Sequence, residues 1–208
     1  MHLRLVLPRR TLLAATLVAC LLSAWASAQT TAAPIRLRGT IESIAADRLV
    51  MKERSGERVE LALAPNLTVT EIFPVGMDTV TPNSFVGVGA TPQADGTQRA
   101  IAVLVFPEAM RGTGEGHRPF DFLPQSTMTN ATVAGQATAA DGNRLTLAYP
   151  GGEKTVVVAP GTPIVSLRPG SRELLVPGAG VSVTAQVVGE KATATRISTG
   201  RNGFAPPY

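Results

Sequence analysis

The sequence predicts an all-β protein built from two small tandem β-barrels, related by an internal repeat and preceded by a signal peptide. Stretches with apolar residues at every second position recur along the chain, as expected for half-buried strands. Glycine and proline account for 20 and 16 of the 208 residues and aromatic residues for only 4%. This composition favours short strands and tight turns over helices. Similar segments also recur at a fixed spacing, which indicates a duplicated unit.

Residues 1–28 have the three parts of a secretory signal peptide. A basic stretch ends at Arg9-Arg10, an apolar run covers residues 11–25, and Ala26-Ser27-Ala28 forms a small-residue cleavage site. The apolar run is shorter than the roughly 20 residues that cross a bilayer, which favours a cleaved signal over an anchor. We therefore predict a periplasmic protein whose mature chain begins at Gln29 and contains no membrane span.

Two other interpretations of the leader stay open. The segment 8–13 resembles a twin-arginine signal, although general secretory signals also contain paired arginines. Leu17-Val18-Ala19-Cys20 resembles a lipobox, which would anchor the protein through a lipid on Cys20. Residues 21–25 continue the apolar run where a lipoprotein would have a polar tether, and this favours the soluble periplasmic form.

Removal of the leader would change the charge balance. It takes away three arginines and no acidic residue, which leaves 16 basic and 15 acidic residues. Without an excess of cations, we do not expect the mature chain to bind nucleic acid or anionic lipid. Cys20 is the only cysteine, so we expect no disulfide and no thiolate chemistry in the mature chain.

The internal repeat shows in three pairs of segments. Two pairs share an offset of 95 residues and the third has an offset of 96. The pairs are 64–66 with 159–161, 80–88 with 175–183, and 47–51 with 143–147. One spacing shared over this distance indicates duplication of a single β unit.

Each half has the same predicted succession of strands, with turns centred on Gly56 and Asp95-Gly96 in the first half. In the first half the predicted strands are 35–44, 48–53, 58–63, 67–75, 85–90 and 99–106. In the second half they are 131–138, 144–149, 155–158, 164–167, 181–188 and 192–199. About five short strands per unit, with a longer gap before the fourth, suit a closed barrel of the OB type. A two-sheet sandwich shared by both halves is the alternative.

These patterns predict five successive parts of the chain. They are a signal peptide at 1–28, a first barrel at 35–106, a joint at 107–128, a second barrel at 129–200 and a C-terminal tail at 201–208.

The joint gathers rare residue types and carries the candidate interaction residues. It contains the only histidine of the mature chain and three glycines within residues 112–116. The candidates are Glu108, Arg111, Glu115, His117, Arg118 and Asp121. Because the joint departs from the repeat, we expect it to determine partner specificity rather than to build either barrel. An imidazole among carboxylates can bind a divalent metal, but zinc sites usually have more His or Cys ligands, so no metal ligand is assigned.

No catalytic or cofactor-binding residue is predicted. The glycines of 112–116 lack the Lys-Ser/Thr of a phosphate-binding loop, and the chain lacks the Gly-x-Ser-x-Gly elbow of a hydrolase. The aromatic residues do not lie in basic clusters, as they would in an OB barrel that binds single-stranded nucleic acid.

The segments 106–119 and 126–133 resemble a family of exported proteobacterial proteins of unknown function. The resemblance implies tandem OB-like β-barrel domains and no established activity. Members often carry the label of a metal-transporter permease subunit, but a permease needs several spanning helices that the mature sequence lacks. We therefore expect an exported, non-catalytic binding or scaffolding protein of the bacterial envelope, whose partner is an envelope protein, a glycan or a small ligand. The alternative is a weak metal-binding accessory protein that uses the joint.

Overall fold

The computed structural model describes residues 33–188 and 191–208. Of these residues, 60% are in strands and 5% in helix, so the predicted all-β class is confirmed. The predicted signal peptide, its cleavage site and Cys20 lie outside the described residues.

Twelve strands and three short 3-10 helices make up the described chain. The strands are β1 (Ile35–Ile44), β2 (Arg48–Glu53), β3 (Arg58–Pro74), β4 (Phe85–Pro92), β5 (Gln98–Val105), β6 (Gly116–Pro119), β7 (Thr127–Ala139), β8 (Gly142–Tyr149), β9 (Gly152–Val158), β10 (Ile164–Pro169), β11 (Gly180–Val188) and β12 (Lys191–Thr199). The 3-10 helices are Met77–Thr79, Glu108–Met110 and Arg172–Leu174. None of the helices in the described part of the chain is long and apolar enough to cross a membrane.

Local sequence explains most of these elements. In β8, Leu145 and Leu147 are buried and alternate with residues on the opposite face, as a strand with one buried face requires. The predicted turns at Gly56 and Gly96 are present, and both glycines have positive φ, at 93° and 83°. Glycine is favoured at such positions because it has no Cβ atom. The predicted bounds of β1 and β2 are confirmed.

The structure corrects the predicted break between strands 58–63 and 67–75. They form a single strand of 17 residues, β3, which runs through the Pro65 region. Proline is tolerated because the pairing of β3 with β12 shifts register between Leu63 and Thr68, and a proline within a sheet is expected at such an irregularity.

Five strands form a closed ring that we call the terminal barrel, because its strands come from the two ends of the described chain. The order is β12-β11-β1-β2-β3, and a parallel pairing between β12 and β3 closes the ring. Its core contains Leu49, Leu61 and Val69 from the first half together with Val183 and Ile197 from the second. The closed ring favours the predicted barrel over the sandwich alternative.

The middle of the chain forms a second ring, the central barrel. Its order is β5-β4-β7-β8-β9, and a short parallel pairing joins β5 to β9 at Gln98↔Val156 and Arg99↔Val157. Its core includes Val88 and Val103 from the first half and Leu145 from the second.

The prediction of two contiguous barrels at 35–106 and 129–200 is therefore wrong. Each ring takes three strands from one half of the chain and two from the other. The length of β3 gives a physical reason. A strand of 17 residues extends over roughly 55 Å at about 3.3 Å per residue, so it carries the chain out of the terminal barrel before β4 begins.

Strand β10 joins the two rings. It pairs antiparallel with the end of β3 and parallel with β5. Beside this junction, Glu71 of β3 is buried, and its Oε1 accepts hydrogen bonds from Arg168 at 2.7 Å and Arg201 at 2.8 Å. These two arginines lower the pKa of Glu71 from 4.5 to about 2. The predicted C-terminal tail is thus tied to the sheet at Arg201.

The joint at 107–128 contains more structure than predicted. It includes a 3-10 helix and the four-residue strand β6, which pairs with β7. This edge strand could not be recognised from apolar alternation, because its residues are exposed or half-buried and backbone hydrogen bonds to β7 hold it in place.

Candidate functional site

A cavity of about 330 Å³ lies between the terminal barrel and the central barrel. Small-molecule sites typically have volumes of roughly 300–1,000 Å³, so this cavity suits a small ligand. Strands of both barrels, the joint and the C-terminal segment all line it. The lining residues on which the site depends most are Arg36, Arg38, Arg118, Ser182, Ser198 and Tyr208.

The terminal barrel contributes a polar wall. Arg38 of β1 pairs with Ser182 of β11, and Ser182 pairs in turn with Ser198 of β12. The three side chains therefore form a row across adjacent strands on the outer face of the barrel. Their neighbours along the chain, Val183 and Ile197, are buried in the barrel core, which follows from the alternation of side chains along a strand.

The central barrel contributes the opposite wall, which carries no charge. Gly87 of β4 pairs with both Leu104 of β5 and Asn130 of β7. A Cβ atom at Gly87 would lie 2.9 Å from the Asn130 side-chain oxygen and 3.0 Å from the Phe106 ring. A larger residue would therefore displace this wall. The Asn130 amide donates a hydrogen bond to the carbonyl of Thr113 at 2.8 Å, which attaches the joint to the wall.

The floor of the cavity is apolar. Ile72 of β3 and Leu167 of β10 pair with each other across the junction between the barrels, and Val165 lies beside them. The cavity thus has one polar, cationic wall and an apolar floor.

Arg38 is the most buried of the three arginines that line the cavity. Its side chain is 11% exposed, and its Nη2 donates a hydrogen bond to Asp121 Oδ1 at 2.8 Å. The guanidinium also lies 5.5 and 5.6 Å from the ring centroids of Phe120 and Phe122. Its Nε is buried and has no hydrogen-bond partner in the described part of the chain. Because this Nε has no accessible surface, a ligand in the cavity cannot reach it. Nη1 makes no hydrogen bond to the described residues and is not buried, so it is the Arg38 donor that a ligand can meet.

The electrostatics of the cavity favour an anion. The charged side chains that line it are Arg36, Arg38 and Arg118. The carboxylate nearest to them is Asp121, which bonds Arg38 and lies 3.9 Å from Arg36. Burial works to raise the pKa of Asp121, but the hydrogen bond and charge of Arg38, with the charge of Arg36, keep it below its ordinary value. Three cations thus face one ionised carboxylate.

Aromatic rings cover one side of the cavity. Tyr208 meets Phe120 edge to face with a centroid distance of 5.4 Å and Phe122 at 6.2 Å. The Tyr208 hydroxyl lies 3.4 Å from the carbonyl oxygen of Gly87. Arg54 stacks on the outer side of this cluster, 4.6 Å from the Phe122 centroid. The joint and the C-terminal segment therefore bridge the two barrels above the cavity.

The predicted interaction residues of the joint fall into separate places. Arg118 and Asp121 lie at the cavity. Glu108 and Arg111 form a two-pronged ion pair, with distances of 2.6 and 2.8 Å, and Arg111 also donates to the carbonyl of Asn83 at 2.8 Å. The bond to Asn83 fastens the joint to the loop before β4. The ion pair raises the pKa of Arg111 and lowers that of Glu108.

His117 lies on the face of β6 opposite Arg118. Its Nδ1 is 2.8 Å from the hydroxyl oxygen of Thr129, and its ring stacks at 6.2 Å on Tyr149. Burial, and secondarily the charge of Lys154, lowers the pKa of His117. Glu115 is exposed and makes no ion pair within 33–188 and 191–208.

The structure does not bring the candidate metal ligands together. Across residues 33–188 and 191–208, no group of three or more His, Cys, Asp or Glu side chains has the geometry to hold a metal ion. Glu108 is engaged by Arg111 and Asp121 by Arg38.

Comparisons with protein-family models, with curated proteins and with solved structures found no match to this chain.

Sequence analysis missed the polar wall of the cavity. Arg36, Arg38, Ser182, Thr184 and Ser198 occupy the polar positions of alternating strands, and such positions usually face solvent. Two sequence features could have indicated this wall. Arginines occupy alternate positions of β1, and hydroxyl residues occupy alternate positions of β11. Only the exchange of strands between the two halves turns this face toward the other barrel.

Proposed function

We propose that the protein is an exported, non-catalytic binding protein of the bacterial envelope that holds a small ligand between its two barrels. The main support for this proposal is the cavity of about 330 Å³, whose lining combines Arg36, Arg38 and Arg118 with apolar side chains. A few convergent polar groups beside apolar surface are typical of small-molecule sites. The floor strands β3 and β10 and the wall strands β4, β5 and β7 belong to one continuous sheet.

The chemistry of the lining supports binding over catalysis. General acid–base catalysis needs a group whose pKa lies near the operating pH. The charged residues here are arginines, which remain protonated in proteins, and burial raises the pKa of Tyr208 further above neutrality. His117 lies on the opposite face of β6, where Thr129 engages it.

Export to the periplasm is the second part of the proposal. It is supported by the basic, apolar and small-residue parts of segment 1–28. The resemblance to an exported proteobacterial family of unknown function is consistent with it. The expected mature N-terminus is Gln29.

We also propose that the two rings arose by duplication of one β unit, with exchange of strands between the copies. Ile72 and Leu167, which the sequence repeat relates to each other, pair directly at the junction. Asn83 and Gly178, also related by the repeat, both have positive φ, at 70° and 86°. The cavity then lies where two equivalent barrel faces meet, and divergence has made one wall cationic.

A capture experiment tests the binding proposal. The protein recovered from the periplasm is incubated with a small-molecule extract, freed of unbound material by ultrafiltration, and analysed by native mass spectrometry. The expected result is an intact mass that begins at Gln29 and one retained small ligand. The variant Ser198→Phe fills the cavity from β12 and should retain none, whereas Ser55→Phe, in the exposed β2–β3 turn, should retain the ligand as the wild type does. Equal retention by wild type and Ser198→Phe would contradict the proposal.

A further inference from the structure

The cavity combines cationic groups with apolar surface. Its cationic groups come from β1 and β6, whereas Ile72, Leu104 and Leu167 form apolar surface at the floor and far wall. A ligand that satisfies both parts needs an anionic group and an apolar body. A fully polar ligand would leave the floor uncovered, and a neutral apolar ligand would give the arginine side chains no anionic acceptor.

The donors at the cationic end suit a carboxylate. Arg38 uses Nη2 to bond Asp121 and its Nε is closed off, but Nη1 makes no hydrogen bond to the described residues. The hydroxyls of Ser182 and Ser198 follow in the same cross-strand row. A carboxylate has two acceptor oxygens, so one oxygen can accept from Arg38 Nη1 and the other from a serine hydroxyl.

A phosphate group fits this wall less well. Phosphate sites commonly use backbone N–H groups at a helix N-terminus or in a glycine-rich loop. The walls here are strands whose backbone groups pair within the sheet. The cavity therefore offers side-chain donors from strands and lacks a backbone cradle for several phosphate oxygens.

Aromatic rings indicate the shape of the apolar body. Phe106, Phe120 and Tyr208 line the cavity, and Met128 lies among them. Aromatic side chains pack on flat rings by offset stacking or edge-to-face contacts. A volume of about 330 Å³, near the lower end of the usual range for small-molecule sites, has room for one such ring and its substituents.

From these contacts we infer that the cavity binds a small monocarboxylate with a flat, apolar body, with its carboxylate on Arg38 and the Ser182–Ser198 row. This inference rests on the proposed binding function and specifies its ligand class.

Three probes separate the parts of the inference, and calorimetric titration of the exported protein measures their affinities. Benzoate has both the carboxylate and the ring, benzyl alcohol has the ring without the charge, and acetate has the charge without the ring. Benzoate should bind at one site, and each of the other two should bind at least about tenfold more weakly, because each lacks one of the two interactions.

Arg38→Gln tests the residue that contacts the carboxylate. It should weaken benzoate binding by about tenfold or more, as expected for loss of a hydrogen bond to a charged group, and should leave benzyl alcohol binding almost unchanged. Arg58→Gln is the control for loss of an arginine–carboxylate ion pair, because Arg58 pairs with Glu42 at an exposed position outside the cavity. Circular dichroism and the thermal midpoint check the fold of each variant. Should Arg38→Gln fail to fold, Ser198→Phe blocks the cavity while all three arginines remain.

Each outcome has a distinct meaning. Tight benzoate binding with weak binding of both other probes supports the inference. Equal binding of benzoate and benzyl alcohol overturns the anionic class but leaves the proposed binding function standing. Equal binding of benzoate and acetate overturns the apolar body in the same way. No binding of any probe overturns the inference, and the failure extends to the proposed function if the capture experiment also retains no ligand.

Discussion

Replacing Ile197 by Ala should destabilise the terminal barrel. The free-energy change should be coupled to that of a substitution in the other half of the chain. Ile197 is fully buried in β12, and it pairs with Val69 of β3. Truncating a buried Ile to Ala costs about 2–5 kcal/mol of unfolding free energy. Truncating Val69 to Ala removes two methyl groups and should cost about 2 kcal/mol.

The informative quantity is the coupling between these two changes. Residues in contact commonly show interaction free energies of about 0.5–3 kcal/mol, whereas distant pairs add to within about 0.5 kcal/mol. Val69→Ala and Ile197→Ala should therefore be coupled. Ile197→Ala combined with Val156→Ala should be additive, because Val156 is fully buried in the core of the central barrel.

Urea unfolding followed by circular dichroism gives the free energies of the wild type, the three single variants and the two double variants. If each half of the chain folded into its own barrel, Ile197 would share a core with Val156 and not with Val69. Additivity for Val69 with Ile197, together with coupling between Val156 and Ile197, would refute the exchanged-strand arrangement.

Two other variants test the contacts that hold the joint and the C-terminal segment. Because the pKa of Glu71 is lowered in the folded protein from 4.5 to about 2, its ion pairs stabilise the fold fully above pH 4.5, and this contribution is lost as the pH falls toward 2. The difference in unfolding free energy between wild type and Glu71→Gln should shrink over that range, whereas Glu60→Gln, an exposed control on the same strand, should differ from wild type by little at any pH. Arg111→Ala combined with His117→Ala should lower the urea midpoint, because Arg111 bonds Asn83 and His117 lies against Thr129, while benzoate affinity stays unchanged. Loss of benzoate binding in a normally folded double variant would show instead that this part of the joint recognises the ligand.

Local sequence was sufficient to predict the strands but not their partners. Apolar alternation and turn residues located β1 and β2. Leu61 and Val156, at apolar positions of the predicted strands 58–63 and 155–158, are fully buried in barrel cores. Pairing between strands depends on contacts that are distant in sequence. Both halves contain similar strands. Judged by apolar pattern alone, β1–β3 could form a ring with β4 and β5, or with β11 and β12. The uninterrupted strand β3 determines that β11 and β12 close the ring with β1–β3. A continuous strand was not predicted, because Pro65 suggested a break.

The candidate site was predicted in part for the same reason. Composition drew attention to the joint, and Arg118 and Asp121 do lie at the cavity. Arg111 and His117 are equally unusual in the sequence, yet they fasten the joint to the central barrel and lie away from the cavity. The polar wall on β1 and β11 follows from the meeting of two barrel faces, which local patterns do not encode.

The most direct test of the account is to locate the bound ligand by NMR. Backbone amide shifts of the protein are recorded during titration with benzoate. We predict saturable shifts clustered at Arg36–Arg38, Ser182–Thr184, Ser198 and Arg118–Asp121, which meet at the cavity between the barrels. Saturable shifts confined to the outer hairpin turns near Gly56 and Gly96, with the cavity residues unmoved, would contradict the claim that the protein binds its ligand between the two barrels.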